Sequence, residues 1–202
     1  MKIFFRKCKK EDVRHAVPLI YSSGPAAFDY VFQTSNKSAT DFLKFAFLKN
    51  QGEFSYKTHT AVIDNDKIIG IGASFGGEST FKFTLAAIFQ IFQFYKWLAF
   101  QVLYRGLQVE KIIQPPKKGE VAIAHLGVQS AYRGKGIGTK LVSYLLKENK
   151  NYSKAILDVT EINPAIKLYK KLGFEIAAKN NSSLIRGDIK VPHHFRMKMS
   201  FD

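Results

Sequence analysis

The residues whose types and spacing could do chemistry are concentrated in one short run, Gln129-Ser130-Ala131-Tyr132-Arg133-Gly134-Lys135-Gly136-Ile137-Gly138-Thr139. Glycines alternate at Gly134, Gly136 and Gly138, so little side chain keeps a ligand from the backbone N–H groups. Arg133, Lys135 and Lys140 supply positive charge beside them. An apolar run, Val121 to Val128, enters this segment, and an amphipathic run, Thr139 to Glu148, leaves it. That order reads as strand, turn and helix. The first turn of such a helix has N–H groups without helical partners, and the positive end of the helix dipole lies at the same place. The chemistry these features suit is phosphate binding, and a diphosphate fits best.

Other glycine-rich patterns fit less well. A Walker A loop needs Gly, four residues, then Gly-Lys-Ser/Thr, but Gly134-Lys135 is followed by Gly136 and preceded at the required spacing by Gln129. A dinucleotide fingerprint counted from Gly134 meets Thr139 where its third glycine belongs. Asp158 falls near the distance of a ribose-binding acid but lies within a strand pattern. A purely structural turn gives no reason for three glycines among three cations.

A second motif follows, Asn163-Pro164-Ala165-Ile166-Lys167-Leu168-Tyr169-Lys170-Lys171-Leu172-Gly173-Phe174-Glu175. Together with Arg133-x-x-Gly136-x-Gly138, of the form Arg/Gln-x-x-Gly-x-Gly/Ala, it resembles the GCN5-related N-acetyltransferase (GNAT) superfamily, which transfers acetyl from acetyl-coenzyme A. The paired motifs cover Val121 to Glu175. The resemblance implies an α/β (α+β) fold: a mixed, mostly antiparallel sheet of about seven strands, flanked by helices and splayed between the fourth and fifth. It implies acetyl-CoA as co-substrate, with no metal.

Acetyl transfer to an amine needs a polarised thioester carbonyl, a deprotonated amine and a proton for the departing thiolate. By resemblance, backbone N–H groups of Leu126, Gly127 and Val128 serve the carbonyl and pair with the pantetheine arm. Arg133, Gly134, Lys135, Gly136, Ile137, Gly138 and Thr139 hold the diphosphate. Tyr169 matches the tyrosine that protonates the thiolate, and Asn163 the asparagine that touches the coenzyme; Asn163 also reads as a helix cap. The base is open between Glu120, which lies near where the family often places a glutamate, His125, whose intrinsic pKa suits the task, and Glu161. A water chain is an equal alternative. Tyr21, Asp29 and Tyr30 fall in the region that forms part of the family's acceptor site.

The positioning elements follow from pattern. Lys2 to Lys7 reads as a first strand, and Asp12 caps a helix to about Tyr21 that Pro18 should kink or end early. Ala26 to Phe32 is a short aromatic segment, and Ser38-x-x-Asp41 opens a helix to about Asn50. Thr60 to Asp64 and Lys67 to Phe75 flank Asn65-Asp66 as a hairpin, in whose second arm Gly70 and Gly72 suggest a bulge or close backbone approach. Lys154 to Thr160, Phe174 to Ala178 and His194 to Phe201 read as strands, with a polar loop from Asn180 to His193. Most GNAT proteins join the third and fourth strands by a short turn; here Ser79 to Gly119 intervenes. Phe83 to Leu107 is expected to form a helix. Its polar stripe is Gln90, Gln93, Gln101, Arg105 and Gln108, with Phe94 and Trp97 among them, and its broad apolar face carries Phe89, Phe92, Tyr95 and Phe100, with Lys96. Burial of that face in the same chain or in a homodimer partner is the favoured reading, with a substrate wall or membrane association as its rivals.

Composition bounds the rest. The 202 residues read as a single GNAT-like acetyltransferase domain, 1–202, with the helical insertion at about 79–119. One cysteine, Cys8, excludes an internal disulfide, and Met1 to Lys10 has no apolar run long enough for a signal peptide, so a cytoplasmic protein is expected. The net charge of +15 is scattered, and no nucleic-acid-binding motif accompanies it. The functional expectation is an acyltransferase moving acetyl from acetyl-CoA to a primary amine by direct attack. The alternatives are a non-catalytic coenzyme-A-binding module and an RNA- or ribosome-associated protein on the same fold.

Overall fold

A computed structural model describes residues 2–201. The elements in chain order are β1 (Ile3–Lys7), α1 (Val13–Ser22), α2 (Pro25–Phe32), α3 (Ala39–Phe47), β2 (His59–Asp64), β3 (Lys67–Gly76), α4 (Thr80–Tyr95) and α5 (Ala99–Glu110). Then come β4 (Glu120–Val128), α6 (Ile137–Glu148), β5 (Lys154–Thr160), α7 (Ile166–Lys171), β6 (Glu175–Asn180), β7 (Ile185–Arg186), β8 (Ile189–Lys190) and β9 (His194–Ser200). Seven strands form one sheet in the order β1-β2-β3-β4-β5-β9-β6, while β7 and β8 pair as a separate hairpin. All neighbours in the large sheet are antiparallel except β4 and β5.

The parallel pair is short. Glu120, Val121 and Ala122 face Lys154, Ala155 and Ile156, and there the pairing stops. Beyond Ala122 the two strands separate, so the sheet is splayed between its fourth and fifth strands. β4 therefore has one edge bonded to β3 and, from Ile123 onward, one edge open. The β2–β3 turn has both Asn65 and Asp66 at positive φ, the conformation a two-residue hairpin needs to match strand twist. The Ser38–Asp41 capping box forms, Asp41 N–H donating to Ser38 Oγ at 3.2 Å.

One face of the sheet carries α6, whose Leu141, Val142 and Leu145 are buried with Val62, Ile69, Val121 and Ile123. The other carries α1 and α3, which bury Ala16, Val17, Ile20, Leu43 and Phe47 against Ala61, Ile63 and Ile71. Helix α1 lies so close to β4 that a Cβ on Gly127 would fall well inside van der Waals contact of the Leu19 carbonyl oxygen. Helix α1 also continues past Pro18 to Ser22, so the early end expected there does not occur. Pro18 and Arg14, whose carbonyl loses its helical donor, are both exposed, on the solvent side of the helix. The segment Asn180 to His193 is not simply polar loop: Leu184, Ile189 and Val191 pack into the aromatic cluster under α2 and α5.

The insertion differs from the expected single helix. Lys96, at φ 55°, breaks it into α4 and α5, joined by a tight turn at Lys96–Leu98. Of its expected aromatic face only Tyr95 is buried in the chain. Ile91, Tyr95, Ala99 and Val102 are the residues packed inward, while Phe89 is 83% and Phe100 66% exposed. The polar stripe is what meets the protein: Gln90 Nε2 donates to Gln51 O at 2.8 Å, Lys49 Nζ to Gln93 Oε1 at 3.0 Å, and Tyr30 Oη to Gln108 Oε1 at 2.6 Å.

Candidate active site

The glycine run folds as its spacing requires. Gly134 and Gly136 sit at φ +74° and +77°, and a Cβ at either would meet nothing within 4 Å, leaving open space above the turn. Gly136 is the left-handed N-cap of α6. The first partnered amide of the helix is that of Lys140, which donates to Gly136 O at 3.1 Å. The N–H groups of Ile137, Gly138 and Thr139 precede it and have no helical acceptor. Arg133 Nε donates to Val128 O at 3.1 Å, tying the loop to the end of β4, and Lys135 Nζ stands 5.3 Å from the Tyr132 ring centroid. Free amides, a helix N-terminus, cations and open volume converge, which suits a diphosphate. β4 ends beside it at Leu126, Gly127 and Val128, and strand geometry turns alternate backbone groups of this stretch to its open edge.

β4 is irregular where it opens. Ala124 pairs with Ala73 and Gly127 with Ile71, so His125 and Leu126 together oppose Gly72 alone. This bulge puts His125 at φ 53°, a conformation uncommon for any residue other than glycine and tolerated best by Asn, Asp and His. Strained backbone in a strand concentrates at functional sites. The bulge aims the imidazole, its side chain 8% exposed, against the rings of Phe54 (centroids 5.1 Å) and Phe28 (6.0 Å).

Two polar groups engage His125. His59, at the head of β2 and fully buried, holds Nε2 3.1 Å from His125 Nδ1, and its own Nδ1 lies 2.8 Å from Ser55 O. Glu53 Oε1 is 3.3 Å from His125 Nε2. The carbonyl of Ser55 can only accept, so His59 carries its proton on Nδ1. His59 Nε2 is then an acceptor and takes the proton of His125 Nδ1. That leaves His125 Nε2 as the basic nitrogen, facing a carboxylate. Burial, and next the neighbouring imidazole, push the His59 pKa down to about 3, so His59 stays neutral and keeps this tautomer fixed. Glu110, at the end of α5, is raised first by burial and second by the charge of Glu53, which brings another acid to the same mouth.

The other expected residues have varied placements. Tyr169 is 7% exposed, packed edge-on to Phe174, and burial pushes its hydroxyl up to about 12, so it is a neutral donor at physiological pH. Asn163 Oδ1 accepts from Ala165 N–H at 2.9 Å, the capping role, leaving its amide NH₂ free. Tyr21 Oη donates to Asp29 Oδ2 at 2.7 Å, chiefly for which its pKa is raised to about 12, and Tyr21 stacks on Phe28 beside His125. Tyr30 is buried, and its hydroxyl is committed to Gln108 of the insertion. Glu120 is not brought to the site. It lies at the paired end of β4, five residues or roughly 16 Å from His125, accepts from Lys117 N–H at 3.0 Å and lies 3.7 Å from Lys198 Nζ. Glu161 is occupied by Lys179 at 2.6 Å, whose hydrogen bond holds its carboxyl below the usual range. Asp158 pairs with buried Arg196, and Cys8 has its thiol pushed up to about 12 by burial, so neither is free for chemistry. His59 and Glu53 are absent from the sequence expectations. Only the register, His59 opposite Ala73 opposite Ala124, places His59 beside the bulge.

A splayed sheet edge running into an amide cradle, with a histidine at the bulge between them, is the arrangement the two sequence motifs imply. Residues 56–176 match the Acetyltransferase (GNAT) domain family, and the chain belongs to it. A search of curated protein sequences finds no match. Among solved structures, an N-acetyltransferase from Staphylococcus aureus Mu50 is similar with a TM-score of 0.68 at 21% identity, covering 97% of this chain and 100% of that one. The ribosomal-protein-S18-alanine N-acetyltransferase from Escherichia coli is similar with a TM-score of 0.53 at 15% identity, covering 100% and 95%. The yncA protein from Salmonella typhimurium, solved with its cofactor acetyl-CoA, has a TM-score of 0.59 at 15% identity, covering 100% and 95%.

Proposed function

We propose that residues 1–202 act as one cytoplasmic acetyltransferase domain that moves the acetyl group of acetyl-CoA to a primary amine by direct attack. The carrying observation is the chain Glu53–His125–His59–Ser55 O at the β4 bulge, on the strand that leads into the cradle. Acetyl-CoA supplies an activated acyl group and a thiolate leaving group. Gly134 to Thr139, with Arg133 and Lys135, bind its diphosphate through amides and charge; Asn163 adds a contact through its free NH₂. Backbone N–H groups of Leu126, Gly127 and Val128 hold the carbonyl oxygen as it gains charge. His125 Nε2 takes the proton that the attacking amine must lose, and Glu53 stabilises the imidazolium so formed. His59 acts as a positioning residue, fixing which nitrogen of His125 is basic. Tyr169 gives its hydroxyl proton to the departing sulfur as the carbon–sulfur bond breaks.

The acids Glu53 and Glu110 at the mouth favour an acceptor that arrives as an ammonium, and Tyr21 with Asp29 offers a polar contact nearby. The scattered positive charge elsewhere disfavours long polycations. Thiol release from acetyl-CoA, followed across small amines and N-terminal peptides, tests the reading. Amine-dependent release supports it. Tight acetyl-CoA binding with no release above the hydrolysis background for any amine would make the chain a coenzyme-A-binding module instead.

A further inference from the structure

The outer face of the α4–α5 hairpin is the largest feature that acetyl transfer leaves unused. Phe81, Leu85 and Phe89 recur along α4 and lie exposed, as do Phe100 and Tyr104 along α5. Phe92 and Phe100 meet edge-on at 5.2 Å, so the two stripes join into one surface. Trp97 crowns the turn, 90% exposed. The polarity is the reverse of a water-facing helix: Gln90, Gln93, Arg105 and Gln108 bond to α2 and to the loops after α2 and α3, while Phe81, Phe89 and Phe100 are exposed. An apolar patch of this kind marks an interaction site.

Charge selects the partner. Between Glu78 and Glu110 there is no acidic residue, and the charged side chains are Lys82, Lys96 and Arg105. Lys37 and Lys49, flanking α3, reach Phe94 and Phe45 with their ammonium groups 4.2 and 4.1 Å from the ring centroids. An apolar surface rimmed by cations matches the boundary of an anionic bilayer, where aromatic rings sit at headgroup depth and lysines meet phosphates. A second copy would set these cations against each other, on a chain already at +15. An 18-residue window within Gly77–Glu110 has a mean hydropathy of 1.2, apolar enough for a membrane span. However, the break at Lys96 leaves helices of 16 and 12 residues, each short of the ~20 a span requires. Their inner sides are also tied to the protein through Ile91, Tyr95, Ala99 and Val102. The hairpin is built to lie in the interface.

We propose that the exposed aromatic face of α4 and α5 docks this protein on an anionic lipid surface, with Trp97 and Phe89 inserted at the headgroup–acyl boundary. The test uses the full chain with vesicles of phosphatidylcholine alone or mixed with phosphatidylglycerol. Trp97 is the sole tryptophan, so its fluorescence reports this face directly. The protein should emit as a water-exposed indole in buffer, and shift to the blue and co-sediment with phosphatidylglycerol vesicles. Binding should weaken on added salt and on the neutral vesicles. Phe89→Asp, at a position with no packing to lose, should weaken partition at least roughly tenfold while acetyl-CoA affinity is unchanged. Three results would overturn the proposal: equal binding to neutral and anionic vesicles, unaltered binding by Phe89→Asp, or a dimer whose Trp97 emission is already blue-shifted in buffer and which ignores vesicles. The last would assign the face to a second copy.

Discussion

Acidification should unlock the site through His59, and the size of the effect follows from its surroundings. The ring is fully buried, its Nδ1–H donates to Ser55 O, and its pKa falls to about 3. An unfolded histidine titrates near 6.5. Below that pH the unfolded chain binds a proton that the folded chain refuses until about pH 3. His59 therefore contributes its full stability above pH 6.5, and loses it progressively as pH falls toward 3. The slope is about 1.4 kcal/mol per pH unit, so between pH 6.5 and 4.5 the loss is roughly 2–3 kcal/mol. His59→Phe isolates this term. The phenyl ring lies beside Phe47 but leaves Ser55 O and His125 Nδ1–H without a partner, a cost of roughly 1–3 kcal/mol each at neutral pH. Urea melts of both proteins should show the variant less stable at pH 7 and the gap closing by roughly 2–3 kcal/mol at pH 4.5. Carboxylates and His194 titrate alike in both proteins and cancel in the difference. Parallel stability curves across this range would refute a buried, neutral His59.

Gly136→Asp should weaken acetyl-CoA binding at least roughly tenfold by calorimetry, because it brings a side chain and a negative charge into the cradle. Gly136→Ala, which carries only the left-handed strain, should weaken binding less. An unchanged affinity for a folded Gly136→Asp variant would put the diphosphate elsewhere. Tyr169→Phe should lower kcat with little change in coenzyme affinity, since the thiolate it serves exists only late in the reaction; full kcat in steps limited by chemistry would remove it from the mechanism. Gly127→Ala should destabilise the fold by roughly 2–4 kcal/mol in a urea melt, because its Cβ meets the rigid Leu19 carbonyl of α1 rather than a movable side chain; a neutral effect would mean that α1 floats free of β4.

The cradle was legible because it is contiguous: alternating glycines, cations and the following helix are local, and the left-handed Gly136 cap is what their order dictates. The strands and the Asn65-Asp66 turn were legible for the same reason. The relay was not. His59 and His125 lie 66 positions apart, and they meet only because β2, β3 and β4 register in one particular way and a bulge turns His125 toward His59. Glu120 shows the converse. The family resemblance suggested a base near the start of β4, but the pairing with β5 closes the sheet there and gives the carboxylate to Lys117 and Lys198. Periodicity separated Phe89, Phe92 and Phe100 from Gln90, Gln93 and Gln108, but it put Tyr95 with the outward rings and Trp97 with the glutamines, and the break at Lys96 reverses both. Nor could it say which face meets protein, because a helix wheel fixes relative, not absolute, orientation. Tyr30 was ambiguous for the same reason: it anchors the insertion through Gln108.

The most direct test of the central claim is to measure kcat and acetyl-CoA affinity together in His125→Asn, a residue that tolerates the positive φ of the bulge. With an accepted amine saturating, the account predicts kcat lower by about 10²–10⁴-fold and a coenzyme dissociation constant within roughly twofold of the parent protein, because the cradle is untouched. Retained kcat, with chemistry shown to be rate-limiting, would contradict it: the proton would then leave the amine by another route, and the Glu53–His125–His59 chain would be a feature of the fold and not of the reaction.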